Sequence, residues 1–382
     1  MFDKVSKILF VVLFIFTLAV PIVTTNLRQD KISVSEKRKL VPMAKLYDEN
    51  GAINKNFLSD FEKWINDNIG LRSQMVALNA EIQYYMFNTL ADNGNMRLGP
   101  NGELNYVTKP IVRDYQHVYL YSKDKIKCIT DSFQEVSDYL SDRNIQFYYF
   151  QCWDKQSIYP EQFPNTINQY GEKSKTEQLV ENLEKNTTIN VVSPKQELID
   201  AKKEYNTYGT WYDPTHWTQR GAYIGYKKLM NEINKNNSYK YKVLQEKDYD
   251  IFITDQGSTV FGNIHKPDYE EELIIHNPKA YAIDVEPIFL SEWADNSRKI
   301  LVNDAVDNND TLLILGDSYF DGFLYDDFAE SFHMVIQIWG DYTSKIQEIV
   351  DYYNPSIVVC ENAERCDRTE EMVKAAQAIK EE

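Results

Sequence analysis

Short apolar runs alternate with amphipathic segments from residue 124 onwards in this 382-residue chain. Continuous apolar runs are typical of buried strands, whereas apolar residues repeated every three or four positions are typical of helices. The strand-like runs cover residues 145–150, 189–193, 312–315, 335–338 and 357–360, and the helix-like segments cover residues 124–140, 174–184 and 218–234. This alternation predicts an α/β fold in which helices cover both faces of a parallel sheet.

The pattern divides the chain into three predicted regions. Residues 1–25 are a membrane anchor or signal segment, because Lys4 and Lys7 precede an apolar stretch over residues 8–23. No small-x-small cleavage site follows, which favours an uncleaved anchor that leaves both lysines in the cytoplasm and exports the rest. Residues 26–118 are a connector with helices and a hairpin. Residues 119–382 are the α/β domain, with a β-rich insertion at about 243–309.

Charge and cysteine content exclude several partners. The formal net charge of −17 argues against binding to nucleic acid, anionic lipid or strongly anionic polymers. The cysteines, Cys128, Cys152, Cys360 and Cys366, form no CxxC pair and have no histidine at metal-ligand spacing. We therefore expect no structural metal and at most an accessory disulfide.

A serine directly after a predicted strand is the strongest chemical signal. Ser318, in Gly316-Asp317-Ser318, follows the apolar run 312–315, so its hydroxyl is expected at the carboxyl edge of the sheet. His216 lies in a tryptophan-flanked loop with Asp213 three residues before it. A serine becomes nucleophilic when an imidazole takes its proton and a carboxylate orients that imidazole. The three residues therefore predict a Ser-His-Asp site.

Other readings of the polar residues stay open at this point. His265 is a rival base, and Asp213, His216, Asp317 and Asp321 allow a weaker metal hypothesis without a recognised ligand spacing. Polar groups after neighbouring strands can supply oxyanion donors or substrate contacts, among them the Gly340 N–H, the Asn362 side chain, and the segments that contain Lys155 and Arg365. Each of these can also be an ordinary loop or capping residue.

Together these motifs resemble a known group. Gly-Asp-Ser combined with Asp-x-x-His resembles the SGNH hydrolases, and the order of the motifs, with Asp213 and His216 before Ser318, resembles the circularly permuted alginate O-acetyltransferase/DHHW branch. Thr215 stands where that family has its first histidine. Similar family segments are Glu36-Lys37-Arg38-Lys39-Leu40, Lys155 with Tyr159-Pro160-Glu161, and Glu361-x-x-Glu364-Arg365. The resemblance covers most of residues 35–366.

The resemblance implies an SGNH-like (flavodoxin-like) domain outside the cytoplasm, held by an N-terminal membrane helix. It implies O-acetyl transfer to a cell-surface or secreted polysaccharide through an acyl-serine. It adds Lys155, Tyr159 and Arg365 to Gly340 and Asn362 as oxyanion or substrate-binding residues. No cofactor is expected, since a membrane-bound O-acyltransferase partner relays the acetyl group. The alternatives are a carbohydrate acetylesterase of the same fold and a non-catalytic polysaccharide-binding or export scaffold.

Overall fold

The computed structural model describes residues 2–27, 32–33, 38–47, 51–91, 94–257, 264, 266–283, 298–321 and 324–381. These residues form two compact units. The first comprises the described part of Met1–Asn93 together with Ile264, and the second comprises the described part of Gly94–Ser258 and His265–Glu382. Residues 94–118 therefore belong to the second unit.

The first unit is mainly helical. Its elements are α1 Phe2–Val23, β1 Ile32–Ser33, β2 Arg38–Lys39, α2 Phe57–Asn68 and α3 Arg72–Phe87. Within the described residues, α1 is the one helix long and apolar enough to cross a membrane, with a mean hydropathy of 2.5 over its best window in Lys4–Val23. By length and composition it is a candidate anchor, and a signal sequence has the same properties. Glu36 and Lys37 lie outside the described residues.

The second unit alternates strands and helices. Its strands are β3 Met96–Leu98, β4 Leu104–Tyr106, β5 Gln146–Cys152, β6 Asn190–Val192, β7 Tyr249–Asp255, β8 Tyr269–Ile275, β9 Tyr281–Ala282, β10 Arg298–Val302, β11 Thr311–Gly316, β12 Met334–Trp339 and β13 Ile357–Ala363. Its helices are α4 Lys109–Tyr115, α5 Lys123–Ser141, α6 Lys155–Ile158, α7 Lys175–Asn186, α8 Lys195–Ala201, α9 Gln219–Asn236, α10 Tyr325–Ala329, α11 Ile346–Tyr353 and α12 Thr369–Glu381.

The main sheet of the described residues has the order β6-β5-β13-β11-β12-β10-β9. The first five strands in this order, from β6 through β12, are parallel, as predicted, and β11 lies between β13 and β12. The sheet is mixed rather than wholly parallel, because β10 pairs antiparallel with β12 and β9 pairs antiparallel with β10. Both strands come from the predicted insertion. The rest of its described strand structure is the antiparallel β7–β8 hairpin.

Helices cover both faces of this sheet. Successive strand residues point to opposite faces, and the neighbours Tyr149 and Phe150 on β5 are both buried. Tyr149 packs edge-to-face against Phe133 of α5, with ring centroids 5.2 Å apart. Phe150 packs against Trp217 at 6.4 Å, beside the start of α9. The α/β fold therefore places the ends of β5, β13, β11 and β12 along one edge of the sheet.

Candidate active site

Ser318 lies in a tight turn at the end of the central strand β11. The Asp317 N–H donates to Glu361 Oε2 of β13 at 2.6 Å, and the Tyr319 N–H donates to Asp317 Oδ1 at 3.0 Å. Gly316 leaves room for the Glu361 carboxyl, because a Cβ at this position would lie 2.8 Å from Glu361 Oε2. These contacts turn the chain sharply and leave Ser318 half-buried at the carboxyl edge of the sheet.

The histidine loop is fixed to this turn by a buried tryptophan. Trp217 is 1% exposed, and its Nε1–H donates to the Tyr319 carbonyl at 3.0 Å. Thr218 then begins α9, since its hydroxyl accepts from the Gly221 N–H at 3.2 Å, which is the usual N-cap bond. His216 is thus held on the side of Ser318, although 102 residues separate the two in sequence.

The structure brings Ser318, His216 and Asp213 into one hydrogen-bonded chain. His216 Nε2 lies 2.8 Å from Ser318 Oγ, and His216 Nδ1 lies 2.8 Å from Asp213 Oδ2. A neutral imidazole that carries its proton on Nδ1 can donate to Asp213 and accept from the Ser318 hydroxyl. This is the arrangement in which a histidine can take a proton from serine.

Thr215 completes the support of the carboxylate. Its N–H and its hydroxyl both donate to Asp213 Oδ1, at 2.8 Å and 2.6 Å. Burial alone would raise the pKa of Asp213, but the hydrogen bond and charge of His216 and the two bonds from Thr215 outweigh it and lower the pKa to about 2. Asp213 is therefore ionised at neutral pH and oriented towards the imidazole.

Arg365 brings a fixed positive charge to the same imidazole. Its Nη2 lies 3.4 Å from His216 Nε2, and its Nη1 donates to the Thr215 carbonyl at 2.7 Å. Nη1 also bonds Asp154 Oδ1, which in turn accepts from the Tyr319 hydroxyl at 2.8 Å. Burial would lower the pKa of Arg365, but Asp154 and the other neighbours raise it above its usual value. The guanidinium is therefore charged and held in place beside the serine and histidine.

A second arginine stabilises the serine turn. Arg368 Nη1 donates to Asp317 Oδ2 at 2.8 Å. Burial, together with the negative charge of Asp317, raises the pKa of Glu361 well above its ordinary value, despite the Asp317 N–H bond and the charge of Arg368. A neutral Glu361 can accept the Asp317 N–H without placing a second buried charge beside the turn.

Two predicted oxyanion residues, Gly340 and Asn362, make their described contacts outside the hydrogen-bonded chain of Ser318, His216 and Asp213. Asn362 Nδ2 donates to the Ala363 carbonyl at 3.1 Å, and Asn362 lines a small cavity with Phe133 on the α5 side. Gly340 begins a 3₁₀ segment after β12 and packs against Arg368, whose Cδ would lie 2.9 Å from an added Cβ. No hydrogen bond joins either residue to Ser318 or His216 in the described structure.

Lys155 and Tyr159 hydrogen-bond the segment that leads into the histidine loop. Lys155 is buried, and its Nζ donates to the carbonyls of Leu104 and Gly209 at 2.9 Å and 2.8 Å. Burial lowers its pKa to about 8. The Tyr159 hydroxyl accepts from the Thr207 N–H at 3.1 Å. These contacts link both residues to the loop that carries His216, and neither side chain hydrogen-bonds the triad.

The other hypotheses from the sequence concern a rival base, a metal site and a disulfide. His265 lies outside the described residues. Asp317 forms an ion pair with Arg368, and Asp321 forms one with Lys299. Neither aspartate is hydrogen-bonded to His216 in the described structure. Across the described ranges, no group of three or more His, Cys, Asp or Glu side chains is placed to hold a metal. The four cysteines are free thiols.

The contacts of Thr215, Asp154, Tyr319 and Arg368 were not assigned from the sequence. A threonine two residues after an aspartate is a known signal for a local side-chain turn, so the Thr215 bonds had a readable cue. The other contacts join segments far apart in the chain. Their partners depend on strand order and register, which no local motif encodes.

Comparison with known proteins identifies the fold. No family model matches this sequence, and no curated protein matches it. In structure the chain is similar to PatB1 of Bacillus cereus with a sulfonyl adduct, with a TM-score of 0.53 and 16% identity over 72% of this chain and 98% of that chain. It is also similar to a DHHW family protein from Eubacterium siraeum, with a TM-score of 0.49 and 12% identity over 74% and 96%. The O-acetyltransferase domain of Pseudomonas putida AlgJ gives a TM-score of 0.47 and 13% identity over 74% and 99%.

Proposed function

We propose that this protein is an O-acetyltransferase that acts on a cell-surface or secreted polysaccharide through an acetyl-Ser318 intermediate. The observation that carries the proposal is the continuous hydrogen-bonded chain from Ser318 Oγ through His216 to Asp213, at 2.8 Å in each step. The fold shared with PatB1, one of whose structures has a sulfonyl adduct, supports it. The motif resemblance described above supports the choice of acetyl transfer.

The proposed reaction has two balanced steps. In the first, Ser318 Oγ attacks the carbonyl carbon of an acetyl donor while His216 Nε2 takes the hydroxyl proton. The tetrahedral intermediate collapses, the bond to the leaving group breaks, and His216 returns the proton to that group. In the second, a sugar hydroxyl attacks the acetyl-serine, His216 takes its proton and passes it to Ser318 Oγ, and the acetylated sugar departs. Asp213 stabilises the imidazolium in both steps.

Two donors are suited to the oxyanion of the tetrahedral intermediate. The Ser318 N–H donates to no protein acceptor in the described structure, so it is available to an oxyanion formed on its own side chain. Arg365 Nη2, 3.4 Å from His216 Nε2, supplies the second donor and a positive charge. The assignment of the Gly340 N–H and the Asn362 side chain as oxyanion donors stays a prediction. Preorganised donors of this kind stabilise charge that develops in the transition state.

We infer from the N-terminal helix that the proposed reaction takes place at the membrane. We assign α1 as a single anchor, with Lys4 and Lys7 on the cytoplasmic side and the second unit outside the cytoplasm. The acetyl group then has to cross the membrane, which is the task we assign to a membrane-bound O-acyltransferase partner. No further cofactor is required for the two transfer steps.

Trapping the intermediate tests the proposal. The full-length protein in detergent is incubated with para-nitrophenyl acetate, or with phenylmethylsulfonyl fluoride, and digested for mass spectrometry. We expect one acetyl or sulfonyl adduct, on Ser318, and a loss of turnover on the order of 10³-fold or more in Ser318→Ala. Ser331→Ala is the matched control, since that serine lies beyond the turn and bonds the Lys242 carbonyl. Acetyl turnover retained by Ser318→Ala would refute the mechanism.

The same experiment separates transfer from hydrolysis. An oligosaccharide acceptor is added, and the products are separated into acetylated sugar and free acetate. Acetylated sugar supports the transferase. Acetate as the sole product, with an adduct still on Ser318, assigns the site to an esterase instead.

A further inference from the structure

A second cavity lies next to the candidate active site and shares Arg365 with it. It has a volume of about 430 Å³ and is bordered by α4, by Tyr119, by Lys175 at the start of α7 and by the segment 364–367. This volume is within the usual range for a small-molecule site. Arg365 lines the cavity, and its Nη2 lies 3.4 Å from His216 Nε2, so this side chain joins the cavity to the base that would activate the acceptor hydroxyl.

The cations on the outer wall of the cavity have no acidic partner. Lys109 and Arg113 are one helical turn apart on α4, and both are exposed. Neither forms an ion pair or a side-chain hydrogen bond within the described part of the chain. The Arg113 guanidinium lies 5.3 Å from the centroid of the Tyr119 ring, and Tyr119 is 53% exposed. An exposed ring beside two unpaired cations offers a sugar both a stacking surface and an anion-binding edge.

The acidic residues of the cavity are already committed to other groups. Asp114 is buried and accepts from the Lys175 N–H and the Thr176 hydroxyl at 2.7 Å and 2.9 Å. Asp367 pairs with Lys175 Nζ at 2.7 Å. Burial, with the nearby Asp114 and Asp154, raises the pKa of Glu364 well above its usual range. Within the described residues, no carboxylate of the lining therefore forms an ion pair with Lys109 or Arg113, although the net charge of the chain is −17.

We propose that this cavity is an acceptor subsite for a sugar unit that carries one anionic group, a carboxylate or a phosphate, which Lys109 and Arg113 bind while the reacting hydroxyl of the glycan lies at His216. This inference rests on the proposed acetyl transfer and names the chemical class of the acceptor. The charge of the whole chain still disfavours long polyanions, so the subsite is suited to acceptors with one or a few acidic groups.

Acceptor kinetics with matched oligosaccharides test the subsite. The full-length protein in neutral detergent is given para-nitrophenyl acetate and one of four acceptors. These are trigalacturonic acid, its neutral methyl ester, maltotriose bearing a phosphate monoester, and maltotriose. We expect KM for an anionic acceptor to be about 3- to 30-fold lower than for its neutral counterpart, as expected for one or two exposed ion pairs. The acceptor that shows the difference distinguishes carboxylate from phosphate.

The double variant Lys109→Gln/Arg113→Gln is expected to remove that KM ratio. Lys123→Gln/Lys247→Gln is the matched control, because it removes two exposed lysines that do not line the cavity and should keep the ratio. A ratio of one in the wild-type protein, or a ratio that survives in Lys109→Gln/Arg113→Gln, overturns the subsite.

A binding measurement keeps this test independent of turnover. Calorimetry on Ser318→Ala compares the Kd of trigalacturonic acid and of phosphorylated maltotriose with those of the neutral pair, with and without the Lys109→Gln/Arg113→Gln change. Tighter binding of an anionic acceptor that the change abolishes supports the subsite even if no acetyl group is transferred. Equal Kd values for anionic and neutral acceptors overturn it, while an acetyl adduct on Ser318 still upholds the proposed nucleophile.

Discussion

Arg365 is the residue whose surroundings constrain the proposed chemistry most. Its Nη1 is anchored by the Thr215 carbonyl and Asp154, which leaves Nη2 directed at His216 Nε2. A lysine has a single ammonium group instead of a planar guanidinium, so it cannot make both sets of contacts. Nη1 therefore makes the structural contacts, and Nη2 contacts the imidazole that would take the serine proton.

We predict that Arg365→Lys lowers acetyl turnover by about 10²- to 10³-fold, the usual effect of removing one oxyanion donor. The measurement is the rate of acetyl-Ser318 formation from para-nitrophenyl acetate. In Arg365→Ala, added methylguanidine should restore part of the rate, because it can supply the missing donor. If Arg365 only stabilised the fold, methylguanidine would leave the rate of the Ala variant unchanged and its melting temperature would fall.

Neighbouring strands determine the shape of the serine turn. Glu361 on β13 reaches across to the Asp317 N–H at the end of β11, and Gly316 leaves it the space to do so. A buried donor without its acceptor costs about 1–3 kcal/mol. The contact is therefore expected to couple the stability of the unit to the position of Ser318.

We predict that Glu361→Gln changes the free energy of unfolding by less than about 1 kcal/mol at pH 7, whereas Glu361→Ala costs about 2–4 kcal/mol. Gln is isosteric with the neutral carboxyl and still accepts from the Asp317 N–H, and Ala leaves that group unpaired and opens a cavity. Urea unfolding followed by tryptophan fluorescence measures both. Equal losses in the two variants would show that the negative charge, and not the accepting oxygen, is what the turn needs.

Local sequence patterns predicted the elements better than they predicted the directions of side chains. The runs that became β5, β11, β12 and β13 were recognisable because continuous burial leaves a continuous apolar pattern. Asn362 illustrates the difference. It is the next residue after Glu361 on the same strand, so its side chain points to the opposite face of the sheet, where its Nδ2 donates to the Ala363 carbonyl. Knowing that a residue lies at the carboxyl edge of the sheet does not show to which face of the sheet its side chain points.

Strand pairings that depend on the whole fold also could not be predicted from the sequence. The antiparallel strands β9 and β10 extend the sheet past β12, yet their sequences carry no signal that distinguishes a separate hairpin from an added edge. The three side chains that form the hydrogen-bonded chain could be named from the sequence, because Asp213 and His216 share one loop and Ser318 follows a clear strand. Its closure depends on Trp217 packing beside the serine turn, which is a contact between distant segments.

At the scale of the whole molecule, a buried carboxyl connects the β7–β8 hairpin to α10. The Tyr249 hydroxyl of β7 donates to Asp327 Oδ1 of α10 at 2.6 Å. Burial, reinforced by the nearby Asp326 and Glu330, raises the pKa of Asp327 from 3.8 to about 7, although the bond from Tyr249 opposes the shift. The folded protein therefore keeps a proton on Asp327 at pH values where the unfolded chain has lost it.

This shift predicts how stability depends on pH. Between about pH 4 and pH 7 the folded state binds more protons than the unfolded state, so the contribution of Asp327 to stability falls as pH rises and levels off above about pH 7. Asp327→Asn has no charge to bury and can still accept from Tyr249. Relative to wild type, it should gain about 1–4 kcal/mol more stability at pH 8 than at pH 4.

Urea unfolding at the two pH values measures the difference, with Asp142→Asn, at an exposed carboxylate, as the control. A gain for Asp327→Asn that is the same at pH 4 and pH 8 would show that Asp327 is already ionised in the folded protein across this range. The Tyr249 bond would then be charged, and the hairpin would be held to α10 by a buried carboxylate instead of a neutral acid.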